Sequence, residues 1–114
     1  MELLAEHLSD ATLITVNENR IDAACAIAFK DRMRELTKEG PARIVVDMAQ
    51  VNFVDSSGLG AIVAAMKALG DGQKMELAAL SVTVDKVFRL TRMDTVFDIH
   101  HSAAIALNPE PQET

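Results

Sequence analysis

The run Arg43-Ile44-Val45-Val46-Asp47-Met48 constrains this chain more than any other feature. It is short, almost unbroken in apolar character, and rich in β-branched residues. A strand with one wet face alternates apolar and polar side chains, whereas a strand covered on both faces does not. The run also lies between two stretches of helical period. Before it, from Ala23 to Lys38, Cys25, Phe29, Met33 and Leu36 share one face, while Lys30, Asp31, Arg34, Glu35 and Lys38 point elsewhere. Asp22 is placed to cap that helix and Gly40-Pro41 to end it. After it, Leu59, Ile62, Val63, Met66 and Leu69 share a side of a second helix that is rich in alanine and stopped by Gly70-Asp71-Gly72. Helix, buried strand, helix is the pattern of a parallel sheet with covered faces.

The remaining elements extend that pattern. Leu3-Leu4-Ala5 and Thr12-Leu13-Ile14-Thr15-Val16 read as strands joined by the turn Leu8-Ser9-Asp10-Ala11. Lys74 to Leu80 reads as the next strand. Ser81 caps a third helix, Val82 to Arg92, in which Val84, Val87, Phe88 and Thr91 share a face. Val96-Phe97-Asp98-Ile99 is a short last strand and Ala103 to Leu107 a last short helix. The stretch 108–114 holds two prolines and two acids, and is expected to be a disordered tail after a domain at 1–107. No repeat or linker divides the chain. The order β-β-α-β-α-β-α-β-α specifies an α/β fold: a single domain whose mixed β-sheet has a parallel centre, with about four helices packed on it through right-handed crossovers.

Composition narrows the function. With 114 residues and 49% hydrophobic content, the chain builds one domain with a real core. It has no Trp or Tyr and four Phe, so that core is aliphatic, with Met33, Met48, Met66, Met75 and Met93 as filler on apolar faces. A net charge of −6 without a Lys/Arg cluster argues against nucleic acid and anionic membranes, and for a basic or neutral protein partner. Cys25 is the only cysteine, which excludes an intrachain disulfide and a Cys-based zinc site; its spacing reads as a small buried apolar residue. There is no signal-peptide pattern at the N-terminus and no apolar run near the ~20 residues that span a bilayer, so a cytoplasmic location is expected.

The candidate chemistry lies in Asp55-Ser56-Ser57-Gly58-Leu59-Gly60. Small hydroxyls and a glycine just before a helix put Ser56 near the N-cap and leave first-turn amides unpaired. Such an end attracts negative charge and can accept a phosphoryl group, although capping alone explains one serine. Asp22 and Asp55-Ser56 each follow a strand and open a helix, so they are expected to meet beyond the carboxyl ends of the strands. Enzymatic readings fail one by one. Neither serine lies in a Gly-x-Ser-x-Gly elbow. His7, His100 and His101 have no orienting partner nearby, and the last two read as the solvent-facing start of the final helix. Dinucleotide, P-loop and metal-ligand spacings are absent, so no cofactor and no catalysis are expected.

Taken together, Phe53-Val54-Asp55-Ser56-Ser57-Gly58-Leu59-Gly60 closely resembles the phosphorylation motif of STAS-domain anti-sigma factor antagonists. The resemblance extends to Ile44-Val45-Val46-Asp47-Met48 before the motif and to Val87-Phe88-Arg89-Leu90-Thr91, Met93-Asp94 and Val96-Phe97-Asp98-Ile99 after it. It implies a partner-switching protein: an anti-sigma factor that is also a serine kinase phosphorylates the serine after the Asp, here Ser56, with Ser57 as second choice. The unphosphorylated form binds the kinase and frees the sigma factor, and a PP2C-type phosphatase resets the system. Asp22, Asp55, Ser56, Ser57, Gly58 and Leu59 are the implied partner-binding residues. For Leu59, helical periodicity favours a core role over that of an exposed anchor. Two positions depart from the family. Asn19-Arg20-Ile21-Asp22 replaces Gly-x-Leu-Asp, where Asn can take a left-handed backbone as Gly does. Arg92 stands where the family often has Gly. The competing implication is a STAS docking subunit of a sensory complex or of a lipid or anion transporter assembly, without a switch; an intact serine after Asp55 favours the antagonist.

Overall fold

The computed structural model describes residues 1–108, so the expected tail at 109–114 lies outside the described residues. In chain order the elements are β1 (Leu3–His7), β2 (Ala11–Val16), β3 (Arg20–Ile21), α1 (Ala26–Thr37), β4 (Arg43–Asp47), β5 (Phe53–Val54), α2 (Ser56–Lys67), β6 (Lys74–Ala78), α3 (Val82–Leu90), a 3-10 turn (Met93–Thr95), β7 (Asp98–His100) and α4 (Ala103–Leu107). The main sheet has five strands in the order β1-β2-β4-β6-β7. β1 and β2 form an antiparallel hairpin, and every other pairing in this sheet is parallel.

β4 is the central strand, as its composition requires. Ile44 and Val46 enter the main core, whereas Val45 points to the opposite face and packs with Ala78 and Ala106 under α4. β6 divides in the same way, with Met75 and Leu77 on the main-core side. A strand alternates its side chains between faces, so apolar residues at consecutive positions are stable only where both faces are covered. The main core collects Phe29 and Met33 of α1, Ile62 of α2, and Val84 and Phe88 of α3. Among the methionines, Met33, Met48 and Met75 are buried, and Met66 and Met93 pack against the core from its edge.

Several boundaries differ from the sequence expectation, each for a local reason. α1 begins at Ala26, so Asp22 does not cap it; residues 22–25 form a turn closed by the Cys25 amide donating to the Asp22 carbonyl at 3.0 Å. α3 stops at Leu90, because Arg92 takes the left-handed backbone (φ 64°) that a glycine would take there more readily. Asn19 takes no such conformation. The last strand begins at Asp98, later than expected, since Phe97 is needed in the core: its ring meets Phe88 edge-on at 6.0 Å between centroids. His100 ends β7 instead of starting a helix, and Ser102 caps α4, its hydroxyl accepting the Ile105 amide at 3.1 Å. Ser81 caps α3 as its position implied, accepting from the Val84 amide at 3.2 Å.

Candidate functional site

The site is built on a small second sheet. β3 and β5 pair in parallel, Arg20 opposite Phe53 and Ile21 opposite Val54. This two-stranded ribbon places the next residue of each strand, Asp22 and Asp55, side by side. The expected meeting of these acids beyond the carboxyl ends of two strands occurs, and the strands are those of this ribbon.

Asp55 is the N-cap of α2. Its extended backbone lets the carboxylate accept the Gly58 amide at 2.8 Å through Oδ1, and Oδ2 accepts the Ala23 amide at 3.2 Å. One carboxylate therefore holds two chain segments together. Ser56 is consequently the first helical residue, one place later than its N-cap reading. Ser57 is the second. Both side chains are exposed, and neither hydroxyl makes a hydrogen bond among the described residues. The first turn of α2 thus leaves both hydroxyls open to solvent.

Gly58 is required by close packing. A Cβ at this position would lie 1.9 Å from the Ile21 carbonyl oxygen, so the first turn of α2 rests directly on the backbone of β3. Leu59 is half-buried against the main core while Ile62 is fully buried, in keeping with the core-side periodicity.

Asp22 is occupied differently. Its carboxylate accepts from Arg20 Nε at 2.7 Å and from the Ala24 amide at 3.1 Å. Desolvation works upward on this carboxyl, but the hydrogen bonds from Cys25 and Arg20, the Arg20 charge and the Ala24 amide outweigh it and hold the group below the usual carboxylate range. The Cys25 thiol is half-buried and is not the plain apolar filler its spacing suggested, since it accepts from the Asp22 amide at 3.3 Å. Desolvation and the carboxylates of Asp22 and Glu18 push that thiol up despite the lowering effect of the amide, so it is a poor nucleophile. The residue that sequence reasoning missed is Arg20. Its guanidinium lies 4.9 Å from the centroid of the exposed Phe53 ring while bonded to Asp22, a stack visible only once β3 and β5 are paired.

What this arrangement offers chemically is an exposed pair of hydroxyls on a helix N-terminus whose backbone is held from three directions. No group of His, Cys, Asp and Glu suited to a metal ion occurs among the described residues, and no helix among them is long and apolar enough to cross a membrane.

The STAS domain family model matches residues 2–106. The anti-sigma-F factor antagonist RsfB of Mycobacterium tuberculosis is 26% identical over 104 residues, covering 91% of this chain and 84% of that protein. An anti-sigma factor antagonist from Mycobacterium paratuberculosis superposes with a TM-score of 0.83 at 23% identity, covering 95% of this chain and 92% of that one. The Bacillus cell fate determinant SpoIIAA, solved in its phosphorylated form, superposes with a TM-score of 0.69 at 17% identity, covering 96% of this chain and 100% of that one.

Proposed function

The chain belongs to the STAS domain family, and we propose that it is an anti-sigma factor antagonist whose binding is switched by phosphorylation of Ser56. The observation that carries this reading is the head of α2, where Asp55 and Gly58 lock the backbone while the Ser56 and Ser57 hydroxyls face outward unbonded. The names of its relatives support the antagonist role, and the phosphorylated SpoIIAA supports the switch.

In the unphosphorylated state the loop presents Asp22, Asp55, Ser56, Ser57 and Leu59 to an anti-sigma factor that is also a serine kinase, and holding that partner releases the sigma factor. The kinase then transfers the γ-phosphoryl group of ATP to Ser56 Oγ, with loss of the hydroxyl proton and departure of ADP. The phosphate adds nearly two negative charges beside Asp55 and Asp22. A desolvated charge at a close interface commonly costs several kcal/mol, so the complex dissociates. A PP2C-type phosphatase hydrolyses the ester and restores the binding form. This role is a binding function, without catalysis by the chain itself.

Titration calorimetry against the purified anti-sigma factor kinases of the source genome tests the proposal. Ser56→Ala should bind its kinase irrespective of ATP, and Ser56→Asp should bind at least ~10-fold more weakly. Peptide mass spectrometry after incubation with kinase and ATP should find the phosphate on Ser56, lost in Ser56→Ala and kept in Ser57→Ala. Equal affinities for the Ala and Asp variants would instead support a docking subunit without a switch.

A further inference from the structure

Two glycines in the first turns of α2 stand in opposite circumstances. Gly58 has the Ile21 carbonyl where its side chain would be, whereas a Cβ on Gly60 would meet nothing within 4 Å. Among the described residues the only glycine with a positive φ is Gly72, so Gly60 needs no special backbone either. Inside a helix, glycine is the least favourable residue short of proline. Nothing within the described chain calls for it at position 60. The remaining use of a bare helix backbone is close approach by another molecule.

Gly60 opens onto a groove of about 280 Å³ between α1 and α2. Ile27 and Lys30 form the α1 wall, and Ser57, Gly60 and Ala64 the α2 wall. Ile27 is 71% exposed, although a large apolar side chain in water gains nothing for the isolated fold. Lys30 makes no ion pair among the described residues. Ser57 stands at one end of the groove and joins it to the phosphoacceptor loop.

Resting on the function proposed above, we infer that this groove is the second part of the anti-sigma factor interface. It receives an apolar side chain of that partner, which passes Ile27 and lies against the bare backbone at Gly60. The charges along the surface set the orientation: a carboxylate of the partner meets Lys30, and a basic or amide group meets the Asp22–Asp55 end. A second copy of this chain fits less well, because each copy carries a net charge of −6.

The test is calorimetry of Gly60→Leu, Gly60→Ala, Ile27→Asn and Lys30→Glu with the purified kinase that binds the wild-type chain, together with thermal melts. Gly60→Leu and Ile27→Asn should each weaken binding at least ~10-fold, with Gly60→Ala weaker by less and its melting temperature raised. Lys30→Glu changes a half-buried wall residue that makes no ion pair among the described residues and should also lose affinity, which keeps the inference testable if Gly60→Leu folds poorly. If Ser56→Asp still weakens binding but the groove variants bind like wild type, the groove assignment is wrong and the switch stands. If no kinase binds the wild-type chain, both fall. A dimer seen by sedimentation and abolished by Gly60→Leu, with kinase affinity unchanged, would assign the groove to a second copy and overturn the inference.

Discussion

Two polar clusters in this molecule are each organised by carboxylates and do opposite things. Beneath α4, Glu76 is 5% exposed and fully engaged: Arg43 donates to it through Nε at 2.8 Å and Nη2 at 2.6 Å, and His100 Nε2 lies 2.8 Å from Oε1. Arg43 Nη2 also donates to the Ala106 carbonyl at 2.7 Å, so the cluster ties β4, β6, β7 and α4 together. At the head of α2, Asp55 and Asp22 are committed mainly to backbone amides of the loops they order. In the first cluster the polar groups are bonded chiefly to one another, and the carboxylate is buried away from any partner. In the second, the carboxylates rigidify a loop whose hydroxyls remain unmatched. Chemistry directed outward, more than the mere presence of charge, separates the candidate site from a structural ion pair.

The largest effect that sharpens this contrast is expected from Glu76→Ala, which strands the Arg43 guanidinium and should lower stability by about 3–4 kcal/mol in urea melts. The pH dependence has a definite sign. The hydrogen bond from Arg43, opposed by desolvation and reinforced by His100, holds the Glu76 carboxyl below the ordinary glutamate range. Its stabilising contribution is therefore present above that range and is lost as the pH falls through the folded value. Wild type should lose more stability than Glu76→Gln between neutral and acid pH; parallel loss would break the comparison. Next comes Gly58→Ala, which forces the first turn of α2 off the Ile21 carbonyl and should cost about 3 kcal/mol in the same melts, with kinase binding reduced as well.

Asp55→Ala removes a helix cap and leaves the Ala23 amide without its partner, for an expected loss of about 1–2 kcal/mol in thermal melts. A loss as large as that of Glu76→Ala would mean that the site is itself a structural centre. The smallest effect is expected from phosphorylation of Ser56. Favourable helix-end electrostatics, worth about 0.3–1 kcal/mol when exposed, oppose repulsion from Asp55 and Asp22. The melting temperature should shift by only a few degrees, and global unfolding of the phosphoprotein would remove the distinction between interface and scaffold.

Much of the architecture follows from local pattern. The continuous Ile44-Val45-Val46 run could only be a strand covered on both faces, and the 3.6-residue periods on either side required helices over it. Ser81 lies three residues before the amide it caps, so short-range spacing sufficed to read α3, whereas at α2 the same spacing put the cap one place late, on Ser56 instead of Asp55. The candidate loop was legible for the same reason: its residues lie within six positions of one another. Arg92 was legible as a departure, but its left-handed backbone emerged only where Phe97 had to reach Phe88.

What only the tertiary structure decided are the relations between distant segments. The pairing of β3 with β5 rests on two residues in each strand, too few for any periodic signal. Yet that pairing sets Asp22 beside Asp55, lays Arg20 over Phe53 and presses Gly58 onto Ile21. Likewise Glu76 is one acid in an apolar strand until Arg43, His100 and α4 close around it. Local propensity and hydrophobic period act over one or two turns, and so the sequence by itself determined the four helices, the strands of the main sheet, their order and the candidate loop, but not β3 and β5. Long-range register and side-chain complementarity, which have no local signature, decided which acid stays buried in the scaffold and which acids order the exposed loop at the head of α2.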